Sequence, residues 1–309
     1  MGAFLITGGA GFIGSHLADA LLAAGQRVRV LDDLSTGKRA HLDRRCELVL
    51  GDVADPAVLR AAMAGVAGCF HLAAIASVAR GNADWRGTHR INQGGSIAVF
   101  EAARDAGRLP VVYASSAAVY GDLGGAVARE DAACAPRTAY GADKLGSELH
   151  ARVAWLVHGV PTLGLRFFNV YGPRQDPSSP YSGVVSIFAA RLARGDGLTL
   201  HGDGSQTRDF VHVGDVVAHL RAAMAHLRAA AGSRVLNVCT GRETSVRALA
   251  GTLAALFGVT PALAHGPARP GDIARSLGDP ARAVATLGVT AATRLEDGVA
   301  AMRDDLTGQ

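Results

Sequence analysis

The first apolar run of the chain, Ala3 to Thr7, leads straight into Gly8, Gly11 and Gly14, spaced G-x-x-G-x-x-G, and then into a helical pattern from Ile13 to Ala24. Strand, glycine turn and helix in that order open a βαβ unit. Glycines there let the backbone approach a pyrophosphate, and the helix N-terminus stabilises its charge. The same glycines also fit a plain turn that packs strand on helix, so the motif needs support from its surroundings. Further short runs follow: Arg27 to Leu31, Glu47 to Leu50, Cys69 to Leu72, Val111 to Ala114 and Thr162 to Phe167. They alternate with helical stretches near Ile91 to Ala106 and Ala139 to His158. This alternation implies an α/β fold with a doubly wound parallel sheet. The early runs are apolar throughout, as strands covered on both faces must be.

After Phe167 the texture changes. Tyr171 to Gly183 is rich in Pro, Gly and Ser and reads as a long functional loop. We therefore expect a nucleotide-binding domain over residues 1–167 and a smaller C-terminal α/β substrate domain over 168–309. Residues 209–231, which include the helical stretch Val213 to Ala230, are expected to pack back onto the first domain. A chain of 309 residues suits such a pair, because single cores stop growing at about 250–300 residues.

Composition removes several classes of function. The net charge is +4, yet the arginines are scattered among acids without a basic run or aromatic platform, which argues against nucleic acid and suits a pocket for anionic phosphates. Cys46, Cys69, Cys134 and Cys239 are far apart and form no CxxC pair, so neither a metal site nor a disulfide framework is indicated. The N-terminal segment lacks the basic region and cleavage site of a signal peptide, and no run is apolar enough for a membrane span. A soluble, cytoplasmic protein is expected.

Chemistry concentrates at few positions. Asp32 closes the second run, where a carboxylate can accept hydrogen bonds from both ribose hydroxyls and repel a 2′-phosphate, favouring NAD over NADP. Lys38 and Arg39 lie nearby and oppose that preference. Asp52 and Val53 follow the third run, placed either to flank an adenine or to start a helix. Tyr140 and Lys144, at i and i+4 on a helix, share one face with Cβ atoms about 5–6 Å apart. A surface pair would look the same. However, Lys38 and Lys144 are the chain's two lysines in an otherwise Arg-rich sequence, and Ser115 and Ser116 end the preceding strand, where such sheets carry reactive groups. A phenol of pKa about 10 is a poor base, but Lys144 and a nicotinamide together would favour its anion. Tyr140 then takes a proton from a hydroxyl that Ser116 holds.

Nine segments occur in one order along nearly the whole chain: TGGAGFIGSHL from Thr7, LDDLSTGKR from Leu31, GDVAD from Gly51, HLAA from His71, SSAAVYG from Ser115, YGADK from Tyr140, LRFFNVYGPRQDP from Leu165, HGDGSQTRDFVHVGDV from His201 and RPGD from Arg269. Jointly they resemble the extended short-chain dehydrogenase/reductase superfamily and, within it, the nucleotide-sugar 4-epimerases. The resemblance implies a Rossmann domain holding NAD, and oxidation and re-reduction at C4 of a UDP-hexose through a 4-keto sugar. By it Tyr140 is the base, Ser116 its partner, and Lys144 both tunes Tyr140 and holds the nicotinamide ribose. Cofactor contacts would fall, besides Tyr140 and Lys144, on Gly8, Gly11, Phe12, Ile13, Asp32, Asp33, Asp52, Val53, Leu72, Ala73, Ala74, Asn92 and Phe167. Substrate contacts would fall on Asn169, Val185, Leu200, Arg208, Arg269, Asp272 and Ser276. Among these, Asn169 would meet the diphosphate and the two arginines would clamp it with forked donors.

Within the resemblance, dehydratases and decarboxylases need an acid soon after the active-site Ser or Thr, and here Ala117, Ala118 and Val119 follow Ser116. Simple epimerisation remains. Asn169 stands where relatives acting on UDP-glucuronate carry Thr, which favours a neutral sugar, and the small Ser276 leaves room for an N-acetyl group. Departures occur at Ile75, Ala76, Ala118 and the segment Gln93-Gly94-Gly95-Ser96, and they bear on sugar preference. UDP-glucuronate epimerisation, a 4-keto-sugar reductase and a non-catalytic dinucleotide sensor are the competing readings. The resemblance also implies a homodimer paired through the helices near Ile91 and Ala139.

Overall fold

The computed structural model describes residues 2–76, 81, 83–177, 183–267 and 273–307, the last four as backbone alone. Strands β1 (Ala3–Thr7), β2 (Val28–Asp32), β3 (Glu47–Leu50), β4 (Val66–His71), β5 (Val111–Ser116), β6 (Thr162–Phe167) and β7 (Ser233–Val238) form one sheet, in the order β7-β6-β5-β4-β1-β2-β3. Every neighbouring pair is parallel. The chain winds from β1 outward to β3, then crosses back and winds from β4 outward to β7. The carboxyl ends of β1 and β4 therefore flank a topological switch point, where such sheets open a crevice. This is the doubly wound Rossmann architecture.

Successive side chains alternate between the sheet's two faces. On β1, Phe4 and Ile6 enter one core with helices α1 (Phe12–Ala23) and, C-terminal in the chain, Val213–Ala229, whereas Leu5 enters the other. That second core holds α2 (Pro56–Met63), α3 (Gly95–Asp105) and α4 (Ala139–His158). Helix α4 spans the residues expected from sequence because both ends are written locally. The Thr138 hydroxyl accepts the Gly141 N–H at 3.0 Å, and Gly159 ends the helix at φ 69°, a left-handed conformation suited to glycine.

A third core, with Phe188, Leu192, Leu249, Leu253, Val299 and Met302, lies among helices Val184–Ala193, Val246–Phe257 and Leu295–Thr307. Short strands accompany it, including Asn169–Tyr171 against Phe210–His212 and Thr207–Arg208 between Thr244–Ser245 and Arg275–Ser276.

Apart from shifts of one to three residues at the ends of β2, β4, β5 and α1, two details differ from the sequence expectation. The segment returning to the first sheet runs past residue 231: after helix Val213–Ala229, β7 pairs with β6 over its full length. Its side chains alternate too weakly to signal a strand, and the pairing with β6 supplies what the local pattern lacks. The helix expected from Ile91 begins earlier, at Trp85–His89, where the Asp84 side chain accepts the Gly87 N–H at 2.9 Å, and then passes through a π-helical turn at Arg90–Gly94 before α3. The turn carries Asn92, whose amide brackets Ile75: Oδ1 accepts its N–H at 2.7 Å and Nδ2 donates to its carbonyl at 3.2 Å.

Candidate active site

The glycine turn lies flush against the segment leaving β4. Gly8 has φ +70°, and a Cβ there would stand 2.7 Å from the Ala73 nitrogen. A Cβ on Gly14 would strike the Gly8 carbonyl and lie 2.7 Å from the Gly9 Cα. Helix α1 starts after Gly11 with no side-chain cap, with Phe12 and Ile13 in its first turn, so its leading N–H groups point at the crevice for an anion to use. The segment after β4 is stitched to β1: the Leu72 N–H donates to the Thr7 carbonyl at 3.0 Å and the Ala73 N–H to the Thr7 hydroxyl at 3.3 Å, with Ala74 next in line.

Asp32 ends β2 beside this turn. Its Oδ2 accepts the Ala10 N–H and its Oδ1 the Leu34 N–H, each at 2.9 Å. Burial raises its carboxyl above the usual range, and those two N–H groups oppose the rise. Asp33 is exposed and turns its Oδ1 to the Ser35 N–H and hydroxyl, at 2.9 and 2.7 Å. Asp52 accepts the Ala54 N–H at 2.8 Å and pairs with Arg90 Nη1 at 2.8 Å. Burial works against its charge, but those two partners hold its carboxyl below the usual range. Val53 is buried beside it, against Gly95. Lys38, a cation that sequence leaves free to attract a 2′-phosphate, has its ammonium 3.6 Å from Asp176. A glycine cradle, an uncapped helix start and a carboxylate at the end of β2 together suit a dinucleotide without a 2′-phosphate.

At the carboxyl end of β5, Tyr140, Ser116 and Lys144 converge. The Tyr140 hydroxyl shares a hydrogen bond with Ser116, whose Oγ also accepts the Ala118 N–H at 3.1 Å. Lys144 is buried, with Nζ donating to the Ala114 carbonyl at 2.8 Å and lying 5.8 Å from the Tyr140 ring centre. Burial lowers its ammonium to about 8, with Asp143 and Glu148 opposing. Burial raises the Tyr140 phenol, and the group that opposes this is Ser116. The sequence assigned that lowering to Lys144 and a nicotinamide together. Here the Lys144 ammonium is committed to the Ala114 carbonyl of β5 and is not among the groups that lower the phenol. Phe167, level with Ser116 on β6, is nearly buried.

Sequence reasoning did not single out His71, although it sits inside the HLAA segment. Its Nδ1 lies 2.8 Å from the Thr7 hydroxyl and its Nε2 3.1 Å from that of Ser96, which donates to the Asn92 carbonyl at 2.6 Å and accepts from Ser147 at 3.0 Å. Asn92 itself is buried, and its side chain serves Ile75.

Of the expected substrate contacts, Asn169 and Arg208 are partly exposed, and Arg208 and Ser276 are register partners on adjoining strands. Arg208 Nη1 donates to the carbonyls of Thr207 and Ile273, each at 2.7 Å. Val185 and Leu200 are both 1% exposed, with their side chains packed in the third core. Helical and strand periodicity place each on the apolar face of its element. Arg269 and Asp272 lie outside the described residues.

Fold and site define a class: a Rossmann enzyme with a dinucleotide crevice beside a Tyr-Lys-Ser centre. Residues 4–239 match the NAD dependent epimerase/dehydratase family, and the chain belongs to it. It is an NAD-dependent enzyme of the epimerase type. The chain is 39% identical to the UDP-glucose 4-epimerase of Mycolicibacterium smegmatis over 305 residues, covering 96% of each. Among solved structures it resembles the UDP-glucose 4-epimerase of Thermotoga maritima with UDP-glucose, at TM-score 0.93, 33% identity and 98% coverage of both chains. It also resembles the Thermus thermophilus UDP-glucose 4-epimerase complex with NAD, at TM-score 0.91, 34% identity and 99% coverage of both.

Proposed function

We propose that this enzyme inverts C4 of a UDP-hexose, interconverting UDP-glucose and UDP-galactose and accepting the N-acetylated pair as well. The observation that carries this is the convergence of Tyr140, Ser116 and Lys144 at the end of β5, with Ala117, Ala118 and Val119 in place of an acid after Ser116. NAD, when bound, supplies the acceptor and the donor of a hydride at the same carbon. Gly8, Gly11 and the start of α1 would hold its pyrophosphate, Asp32 a ribose, and Lys144 the ribose nearest the chemistry.

Tyr140 takes the proton of the C4 hydroxyl while Ser116 donates a hydrogen bond to the same oxygen, steadying it as a carbonyl forms. The Lys144 ammonium lowers the cost of the tyrosinate once the site is filled. Tyr140 then gives its proton back after the 4-keto sugar has turned, so the net reaction is an isomerisation. Asn169 and Arg208, joined by Arg269, would hold the diphosphate and leave the sugar free to turn. Ser276, beside Arg208, leaves space for an acetamido group.

We further infer a cytoplasmic homodimer. The four cysteines are free thiols, and no helix among the described residues is long and apolar enough to cross a membrane.

The test is incubation of the purified protein with UDP-galactose, UDP-GalNAc and UDP-GalA. C4 inversion is expected for the first, without added cofactor. No inversion of any of the three sinks the proposal, and steady consumption of added NADPH would replace it with a 4-keto-sugar reductase.

A further inference from the structure

Three side chains of α4, spaced one turn apart, meet three consecutive residues of β5. Tyr140 bonds Ser116, Lys144 donates to the Ala114 carbonyl, and Glu148 Oε1 accepts from the Ser115 hydroxyl at 2.5 Å. The first two belong to the proton chemistry above, and the third has no part in it so far. Glu148 is 7% exposed, an unfavourable place for a carboxylate unless it is paired and hydrogen-bonded. Its partner is Arg166, which stands level with Ser115 on β6 and donates from Nε and Nη2 to the two carboxylate oxygens at 2.8 and 2.7 Å. The guanidinium lies over the Tyr120 ring, 4.7 Å from its centre, and the Tyr120 hydroxyl donates to Asn237 at 2.6 Å. A buried pair of this kind is often replaceable by apolar residues of equal volume without loss of stability, so stability alone does not account for it.

We propose that Glu148, braced by Arg166, is a positioning residue of the proton-transfer site: it fixes the Ser115–Ser116 end of β5 and presents its negative charge to the Lys144 ammonium one helical turn away. This rests on the reading of Tyr140, Ser116 and Lys144 given above. The groups facing Lys144 are Asp143, Glu148 and Tyr140 from its own helix and His71 from β4. Asp143 is the stronger of the two carboxylate influences on Lys144 and its Oδ1 meets His89 at 2.8 Å, burial keeps His71 neutral, and Arg166 on β6 is matched by Glu148. Glu148 is thus the carboxylate tied both to the catalytic strand and to the lysine.

The chain's two lysines make the test direct. Protein carrying ¹³C-lysine, purified with its cofactor, gives two Cε titrations by NMR, and Lys38→Arg assigns them. In the ligand-free chain, burial lowers the Lys144 ammonium to about 8. In Glu148→Gln the Lys144 titration is expected to move lower by roughly one unit. The kcat for C4 inversion is expected to fall roughly tenfold or more, with little change in KM and with its alkaline limb following Lys144. Since Glu148→Gln leaves Arg166 unmatched and can fail to fold, Glu148→Gln/Arg166→Met removes both charges and should shift Lys144 in the same direction. Ser115→Ala keeps both charges and should lower kcat several-fold while leaving the Lys144 titration in place. An unmoved Lys144 in the folded Glu148 variants, or full kcat in both of them, overturns the proposal. The titration needs no turnover, so wild-type protein that fails to invert C4 would sink the functional reading while the lysine result still stands.

Discussion

His71 shows how a single buried group writes a pH dependence into the molecule. It is closed in by Thr7 and Ser96, and burial, aided by the charge of Lys144, lowers its imidazole to about 3. In the unfolded chain it titrates at about 6.5. Between those values the unfolded state binds the extra proton, so the stability contributed by a neutral His71 is complete above about 6.5 and is lost as pH falls. By pH 5 the wild type should have lost about 2 kcal/mol relative to pH 7.5 through this group. His71→Gln should lose correspondingly less over the same interval, measured by urea unfolding at both pH values. Parallel losses in the two proteins would show that His71 does not carry the effect. At this scale the sequence was most legible where spacing speaks for itself, as in Tyr140 and Lys144. It was silent on His71 and Glu148, because a histidine ending an apolar strand and a glutamate on a helix have no local mark of burial.

At the scale of elements, legibility followed local chemistry. β1, β3, β6 and α4 begin and end where sequence placed them, since caps, apolar runs and turn glycines mark both ends. The π-helical turn at Arg90–Gly94 and strand β7 were invisible because each depends on a partner distant in sequence, the Ile75 backbone and β6 respectively. The seam between β1 and α1 makes a testable case. Gly14 is required there by closeness rather than by backbone angle, because its missing Cβ is the space the Gly8 carbonyl occupies. Gly14→Ala should force helix and turn apart, costing roughly 1–3 kcal/mol, and should lower the NAD retained per protomer after purification. Unfolding curves and cofactor absorbance read the two effects. A variant that keeps wild-type stability and a full complement of NAD would show that the close approach is incidental.

For the whole molecule the deciding feature is the outer face of α4. While Lys144, Ser147, Glu148, Ala151 and Ala154 point inward, Leu149, Val153, Leu156 and Val157 are 59%, 47%, 66% and 68% exposed. Their spacing of i, i+4, i+7 and i+8 makes one stripe on a helix, and Trp85, 68% exposed, stands on the helical turn packed beside it. Scattered apolar residues at a surface mean little, whereas a continuous stripe calls for a cover. A second copy of the same face, related by a two-fold axis, places each α4 against its mate. Light scattering at micromolar concentration should therefore give a mass about twice the 31.6 kDa of one chain. Val153→Glu/Leu156→Arg should give the single-chain mass with unchanged circular dichroism, since neither side chain contributes to the inner face. A wild-type protein of single-chain mass would refute the dimer. The same helix carries Tyr140, Lys144 and Glu148 on its inner face, so pairing its outer face would stiffen the element that aims the proton-transfer groups. The charged double variant should accordingly lose kcat while retaining NAD, and full kcat in a monomeric variant would separate assembly from catalysis.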